Sequence, residues 1–170
     1  MISLIIPCFN EEKNIEKLFN KLNFLLNENS RENIEITIVN NGSTDNSESL
    51  IKQHSLYKKK KINLLTIKKN VGYGDGINKG IHYSSGEVLC WFHADLQFDP
   101  LDAIEIYKKY KSDLNDQEIM IKGRRINRSL LDSFFTFGMS LFTLLLFGKK
   151  INDINAQPKM FNRSFLKLVD

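Results

Sequence analysis

The stretch from Asn70 to Pro100, NVGYGDGINKGIHYSSGEVLCWFHADLQFDP, decides the fold. A glycine-rich turn leads into residues of helical spacing, 76–84. A short apolar run, 88–92, follows, and just past its end come Asp95, Gln97 and Asp99. A carboxylate and an amide oxygen at the end of a buried strand can hold a hard divalent cation against a diphosphate. In open α/β sheets, ligands bind at this carboxyl end of the strands. The segment therefore implies a parallel sheet carrying a site for a nucleotide sugar.

Working outward, the same alternation continues on both sides. Residues 2–6 form an apolar run short enough for a buried strand. Asn10 is placed to cap the next helix, and Glu11 and Glu12 suit its positive end. Ile15, Leu18, Phe19, Leu22, Leu25 and Leu26 then recur at helical spacing. A second strand is expected over 34–39. Asp45 with Glu48 has the spacing of a capping box for a short helix through His54. Strands are expected again over 62–67 and 119–121, and Asp99-Pro100 reads as an N-cap with proline at the first helical position. Strand and helix in turn predict a three-layer α/β domain with a mostly parallel central sheet. Length agrees, since 170 residues fit one domain with a real core. Gly72, Gly74 and Gly80 fall short of a dinucleotide fingerprint because Ile77 stands where a glycine is needed. The Gly-Lys-Ser/Thr ending of a phosphate loop is absent as well.

Composition narrows the function classes. Apolar content of 42% and charged content of 26% are those of an ordinary globular chain. The net charge of +4 is concentrated in Lys58–Lys61, which reads as a solvated connection. Basic residues interleaved with aromatics on one face are missing, so nucleic acid is not an expected partner. Cys8 and Cys90 sit in apolar runs without metal spacing and read as buried thiols of a reducing compartment. The opening MISLIIPCFNEE lacks a basic segment and breaks at Pro7, unlike a secretory leader. These features point to a cytoplasmic location.

Four motifs occur in order along nearly the whole chain: IIPCFNEEKNI (5–15); EITIVNNGSTDNS (35–47); the glycine-rich stretch followed by SSGEVLCWFHADLQFDP (84–100); and KGRRINR (122–128) with INDINAQPKMFNR (151–163). Together they resemble family 2 glycosyltransferases of the GT-A fold, and most of all their dolichol- and polyprenyl-phosphate sugar transferase branch. The resemblance implies a single GT-A domain over 1–170. Residues 1–125 would form its nucleotide-sugar half, and 126–170 an acceptor-side segment that is incomplete at its C-terminal end.

The resemblance also implies roles. Pro7, Phe9 and Glu11 match positions that cradle the nucleotide, Asn41 matches a nucleotide contact, and Ala94 lies within the donor-binding triplet. Asp95 and Gln97, with His93, would hold Mg²⁺ or Mn²⁺ bridging the diphosphate. Arg125 matches an arginine that meets acceptor or donor phosphate, with Arg124 and Arg128 beside it. Asp153 matches an aspartate facing the acceptor, and becomes the candidate base if the acceptor is a hydroxyl. Transfer with inversion at the anomeric carbon is implied. The chain departs from the family pattern at Asn40 and Asn41, where paired aspartates are usual, and at His93, where the first aspartate of the metal motif would stand. A histidine accepts Mn²⁺ more readily than Mg²⁺.

The stretch 133–147, SFFTFGMSLFTLLLF, is apolar and has Arg128 before it and Lys149 and Lys150 after it. As a helix it would be roughly 22 Å long, short of the roughly 30 Å needed to span a bilayer. It fits either a core helix or one lying in the membrane surface. The leading expectation is a sugar transferase using a nucleoside-diphosphate sugar, with a polyprenyl phosphate acceptor ahead of a glycan or lipopolysaccharide hydroxyl. A non-catalytic nucleotide-sugar binder and a nucleotidyltransferase are the alternatives.

Overall fold

Apolar alternation builds the centre of the molecule. In the computed structural model, which describes residues 1–116, 118–124, 148, 153 and 155–168, β1 (Ile2–Cys8) is buried along its whole length. Ile2, Leu4, Ile6 and Cys8 face one apolar cluster and Ile5 the other. This is the two-residue period of a strand covered on both faces. β2 (Ile34–Asn41) and β4 (Val88–Trp91) flank β1 in parallel, and β3 (Asn63–Ile67) continues the parallel sheet beyond β2. β6 (Lys159–Asn162) pairs antiparallel with β4. With β5 (Met120–Lys122), the strand order is β3-β2-β1-β4-β6-β5.

Helices cover both faces. α1 (Glu12–Glu28) buries Ile15, Leu18, Phe19, Leu22 and Leu25 as one stripe. These join Ile51 of α2 (Ser47–Gln53), Leu56 of α3 (Ser55–Lys58), and Ala103 and Ile104 of α5 (Pro100–Tyr110) in the larger cluster. On the other face α4 (Tyr73–Tyr83) packs Ile77 and Ile81 on Ile5, Val39, Leu89 and Phe161. Each fully buried side chain of this size contributes about 1.5–3 kcal/mol. The expected three-layer α/β architecture with a mostly parallel sheet is what forms. Contacts divide the chain into two compact units, 1–121 with 158–170, and 122–157.

The amino ends of the strands are tied by polar groups. Ser3 Oγ donates to Glu35 and accepts from Gly86 N at 2.8 Å. Ser85 donates to Glu35 from its backbone, 2.8 Å, and its hydroxyl, 3.0 Å. Arg163 follows β6 and reaches back to the carbonyls of Gly86 (2.8 Å), Ser84 (2.6 Å) and Ile81 (3.3 Å). Cys8 and Cys90 are buried free thiols. Burial pushes Cys8 up to about 12 and raises Cys90 too, so neither is a thiolate at neutral pH.

Three local expectations are corrected. Asn10 does not cap α1. It adopts φ 57°, and its Oδ1 accepts from Thr44 N at 2.8 Å. Asp45 and Glu48 do not form a capping box. Asp45 Oδ2 accepts from Glu12 N (3.0 Å), while Glu48 accepts from Asn40 and pairs with Lys52. The two helix starts cap each other instead: Ser47 Oγ accepts from Glu11 N (2.9 Å) and Glu12 Oε2 accepts from Asn46 N (3.1 Å). The third difference is at the 88–92 strand, which stops at Trp91. Asp99 does cap α5, its Oδ1 accepting from Leu101 N at 3.1 Å, and it is ion-paired with Lys21.

Candidate functional site

The site residues of the first unit gather where the parallel strands end. β1 and β2 run on beyond the last β1–β4 pair, Ile5 opposite Trp91. β4 stops there and the chain turns through His93, Ala94, Asp95, Leu96 and Gln97. Ala94 is buried in the core and anchors the turn. Asp95 Oδ1 accepts from Gln97 N at 3.0 Å, which closes a tight Asx turn. Leu96 sits at φ 63°, a conformation that costs a bulky residue roughly 1–2 kcal/mol. Such strain persists only where the surroundings over-determine it, and it clusters at ligand sites. Leu96 packs against the core, which supplies that determination.

Phe9, at the end of β1, exposes 44% of its surface. Pro7 is buried within β1, opposite Val39. Glu11 is half-buried and its Oε2 accepts from Asn14 Nδ2 at 2.6 Å. Asn41, at the end of β2, is buried and hydrogen-bonded to the glycine-rich turn. His93 lies under the ring of Tyr73, with centroids 4.7 Å apart and planes 11° from parallel. Burial lowers the His93 pKa; Asp95 and Glu11 oppose that shift and Lys159 adds to it. The shift favours the neutral imidazole, the form able to ligate. The same balance places Glu11, Asp95 and Lys159 each within electrostatic reach of His93.

The donor set fits a cation that arrives with a diphosphate. Among the described residues no three His, Cys, Asp or Glu side chains gather at metal-binding distance. Asp95, His93 and Gln97 would supply a carboxylate, an imidazole and an amide oxygen, leaving the rest of the shell to phosphate oxygens and water. One or two carboxylates plus substrate phosphates is the usual Mg²⁺ arrangement, and the imidazole tilts the set towards Mn²⁺.

The second unit holds Asp153. It is 7% exposed, with φ 49°. Its carbonyl accepts from Ala156 N (2.9 Å) and Lys122 Nζ (3.0 Å). Arg124 is exposed. Arg125, Arg128, Lys149, Lys150 and the stretch 133–147 lie outside the described residues. Among the described residues no helix is long and apolar enough to cross a membrane. Tyr73 and Lys159 escaped the sequence reading. Tyr73 carried a signal, as an aromatic inside a glycine-rich turn that has no core to fill. Lys159 carried none.

Comparison with known proteins gives this geometry a family. The family described as Glycosyl transferase family 2 matches residues 3–167. A glycosyltransferase of Bacillus subtilis is 30% identical over 109 residues, 64% of this chain and 33% of that protein. A dolichyl-phosphate beta-glucosyltransferase of Trichomonas vaginalis is 26% identical, over 95% of this chain and 51% of that protein. The chain thus spans about half or less of the length of these relatives. Among solved structures, a mannosyltransferase of Pyrobaculum calidifontis in complex with GDP-Man and Mn²⁺ superposes with a TM-score of 0.68 at 16% identity, over 99% of this chain and 46% of that one. Glucosyl-3-phosphoglycerate synthase of Mycobacterium tuberculosis, solved with Mn²⁺, UDP and glucosyl-3-phosphoglycerate, gives 0.67 at 16% identity, over 96% and 57%. These likenesses identify the sheet and its covering helices as the GT-A fold. Over nearly all of its length, the chain belongs to glycosyl transferase family 2.

Proposed function

We propose that this chain carries the donor-binding half and an acceptor-side segment of an inverting glycosyltransferase that moves a sugar from a nucleoside-diphosphate sugar to a polyprenyl or dolichyl phosphate. The observation that carries the proposal is the Asp95–Gln97 turn. It presents a carboxylate at the sheet's carboxyl end, with Leu96 held at φ 63° and His93, two residues before Asp95, stacked on Tyr73. The dolichyl-phosphate transferases among the relatives support the acceptor class, and the neighbours solved in complex with GDP-Man or UDP support the donor class.

In this reading Phe9 offers an open aromatic face to the nucleotide, with Pro7 and Glu11 shaping the end of β1. Asn41 holds the far wall. Asp95, His93 and Gln97 hold a divalent cation, Mn²⁺ ahead of Mg²⁺. Once bound, the cation neutralises the charge that builds on the diphosphate as it leaves. Asp95 orients the donor, and Ala94 keeps the turn seated in the core. Arg125 and Asp153 serve the acceptor. An acceptor phosphate is already anionic and needs no strong base, so Asp153 would orient it. The stretch 133–147, apolar with basic flanks, supports contact with the cytoplasmic face of a membrane, where such an acceptor resides. A second reading, nucleotide-sugar binding without transfer, is favoured by Asn40 and Asn41, whose amides are engaged within the fold.

Thermal shift with UDP-glucose and GDP-mannose, each with and without Mn²⁺, tests binding. Saturation at about 100 times Kd stabilises by about 2.7 kcal/mol. Asp95→Ala is expected to remove the Mn²⁺-dependent part of that shift; an undiminished shift refutes the assignment. Radiolabelled transfer to polyprenyl phosphate then separates the two readings.

A further inference from the structure

Asn40 and Asn41 close β2, and both ends of each carboxamide are engaged. Asn40 Nδ2 donates to Glu48 Oε2 (3.0 Å), and its Oδ1 accepts from Ser43 N (3.2 Å). Asn41 Nδ2 donates to the Gly72 carbonyl (2.9 Å) and lies 3.4 Å from Asn70 Oδ1, while its Oδ1 accepts from Val71 N (3.3 Å). A carbonyl only accepts and a backbone N–H only donates. The orientation of the Asn41 amide is therefore fixed by its partners.

Two glycines make the contact possible. At Gly76 a Cβ would stand 2.9 Å from Asn41 Nδ2. At Gly42, with φ 75°, a Cβ would stand 2.3 Å from Asn70 N and 2.6 Å from the Lys69 carbonyl carbon. The backbone of 69–72 is thus pressed onto the end of β2 and tied there by one side chain. The next residue, Tyr73, opens α4 and stacks on His93.

We infer that Asn41 is a positioning residue: by holding the 70–72 turn it sets Tyr73 on His93 and so orients the imidazole beside Asp95. The inference rests on the 93–97 turn being the donor end of the site. An aspartate at position 41 could keep the Val71 contact but would have no proton to give the Gly72 carbonyl. The asparagine that departs from the family pattern is the residue type this tie requires.

The test combines ring-proton NMR of the histidines with donor titration of the same full chain. There are three histidines. Stacking on Tyr73 displaces the His93 ring protons upfield relative to those of exposed His82. That displacement is expected to vanish in Tyr73→Ala and in Asn41→Asp. The His54 signals, set by the edge contact with Phe19 at 4.6 Å, should stay in place and report an intact core. Each variant is expected to bind UDP-glucose and GDP-mannose with Mn²⁺ about tenfold more weakly, the effect of losing one hydrogen bond's worth of order. The double variant should be no worse than either single one, because both act through the same stack. Unmoved His93 signals in Asn41→Asp, or losses that add in the double variant, would overturn the inference. If Asn41→Asp disturbs His54 as well, Tyr73→Ala decides, and intact donor binding in that variant refutes it. If the unmodified chain binds neither donor while its His93 signals still answer to Asn41→Asp and Tyr73→Ala, the donor reading fails and the tie itself stands.

Discussion

Gly80 is where α4 comes closest to the sheet, and replacing it with alanine sets two opposing terms against each other. A methyl at this position would lie 2.6 Å from Ile5 Cγ2 and 2.7 Å from Val39 Cγ2. Both neighbours are fully buried. Both are β-branched on adjacent strands, so neither can rotate away cheaply. Overpacking of this kind costs about 1–3 kcal/mol. Alanine in a helix interior returns up to about 1 kcal/mol relative to glycine. The steric term wins, and Gly80→Ala should be destabilised by about 1 kcal/mol, lowering Tm by roughly 2–4 °C for a chain of this size. Gly74 is the control: nothing lies within 4 Å of a Cβ built there, so Gly74→Ala feels the propensity term alone and should be neutral or slightly more stable. Chemical and thermal denaturation of the two variants beside the unmodified chain measures both. A Gly80→Ala protein that melts at or above the Gly74→Ala protein would refute the close approach of α4 to β1 and β2.

Other consequences are as direct. Burial opposes the charge on Glu35, but hydrogen bonds from Ser3, Ser85 and Gly86 outweigh it and hold the carboxyl below its usual 4.5. Its stabilising contribution is therefore complete above that value and lost as pH falls through the lowered folded pKa; Glu35→Gln should lower stability at pH 7 and flatten the acid limb of a stability–pH curve. Arg163→Lys should be destabilised by about 1–3 kcal/mol in urea melts, because an ammonium cannot serve three carbonyls spread across a planar fork. His93→Asp should move donor binding from Mn²⁺ towards Mg²⁺ when affinities are measured in each metal, since a carboxylate suits the harder ion; an unchanged metal ratio would speak against ligation by His93.

Much of this was legible because periodicity reports burial. The α1 stripe, the covered strands and the Asp99-Pro100 start of α5 all followed from local patterns that the core reinforces. The two carboxylates that follow β2 misled for the opposite reason. Asp45 and Glu48 have capping-box spacing, yet Asp45 divides its oxygens between Ser47 N and the distant Glu12 N, and Glu48 turns to Asn40 and Lys52. Spacing alone cannot tell a local acceptor from a tertiary one. Four-residue β6 has too few positions to show a period, and its partner lies some 70 residues back. The conformation of the Asp95 turn was not legible. Nothing in His-Ala-Asp-Leu-Gln announces a left-handed leucine, because the strain there is imposed by packing from outside the segment.

The late arrival of β6 has a consequence for how the chain is made. β4 pairs with β1 on one side, and its other side is completed only by residues 159–162. During synthesis at 5–20 residues per second, roughly 70 residues separate the two strands, so the apolar flank of β4 stands open for on the order of 3–14 s. An open edge of this kind invites pairing with another nascent chain. Ribosomes crowded on one message would bring many such edges together, so yield should depend on elongation rate and on holdase chaperones more than the equilibrium stability of the finished sheet would suggest.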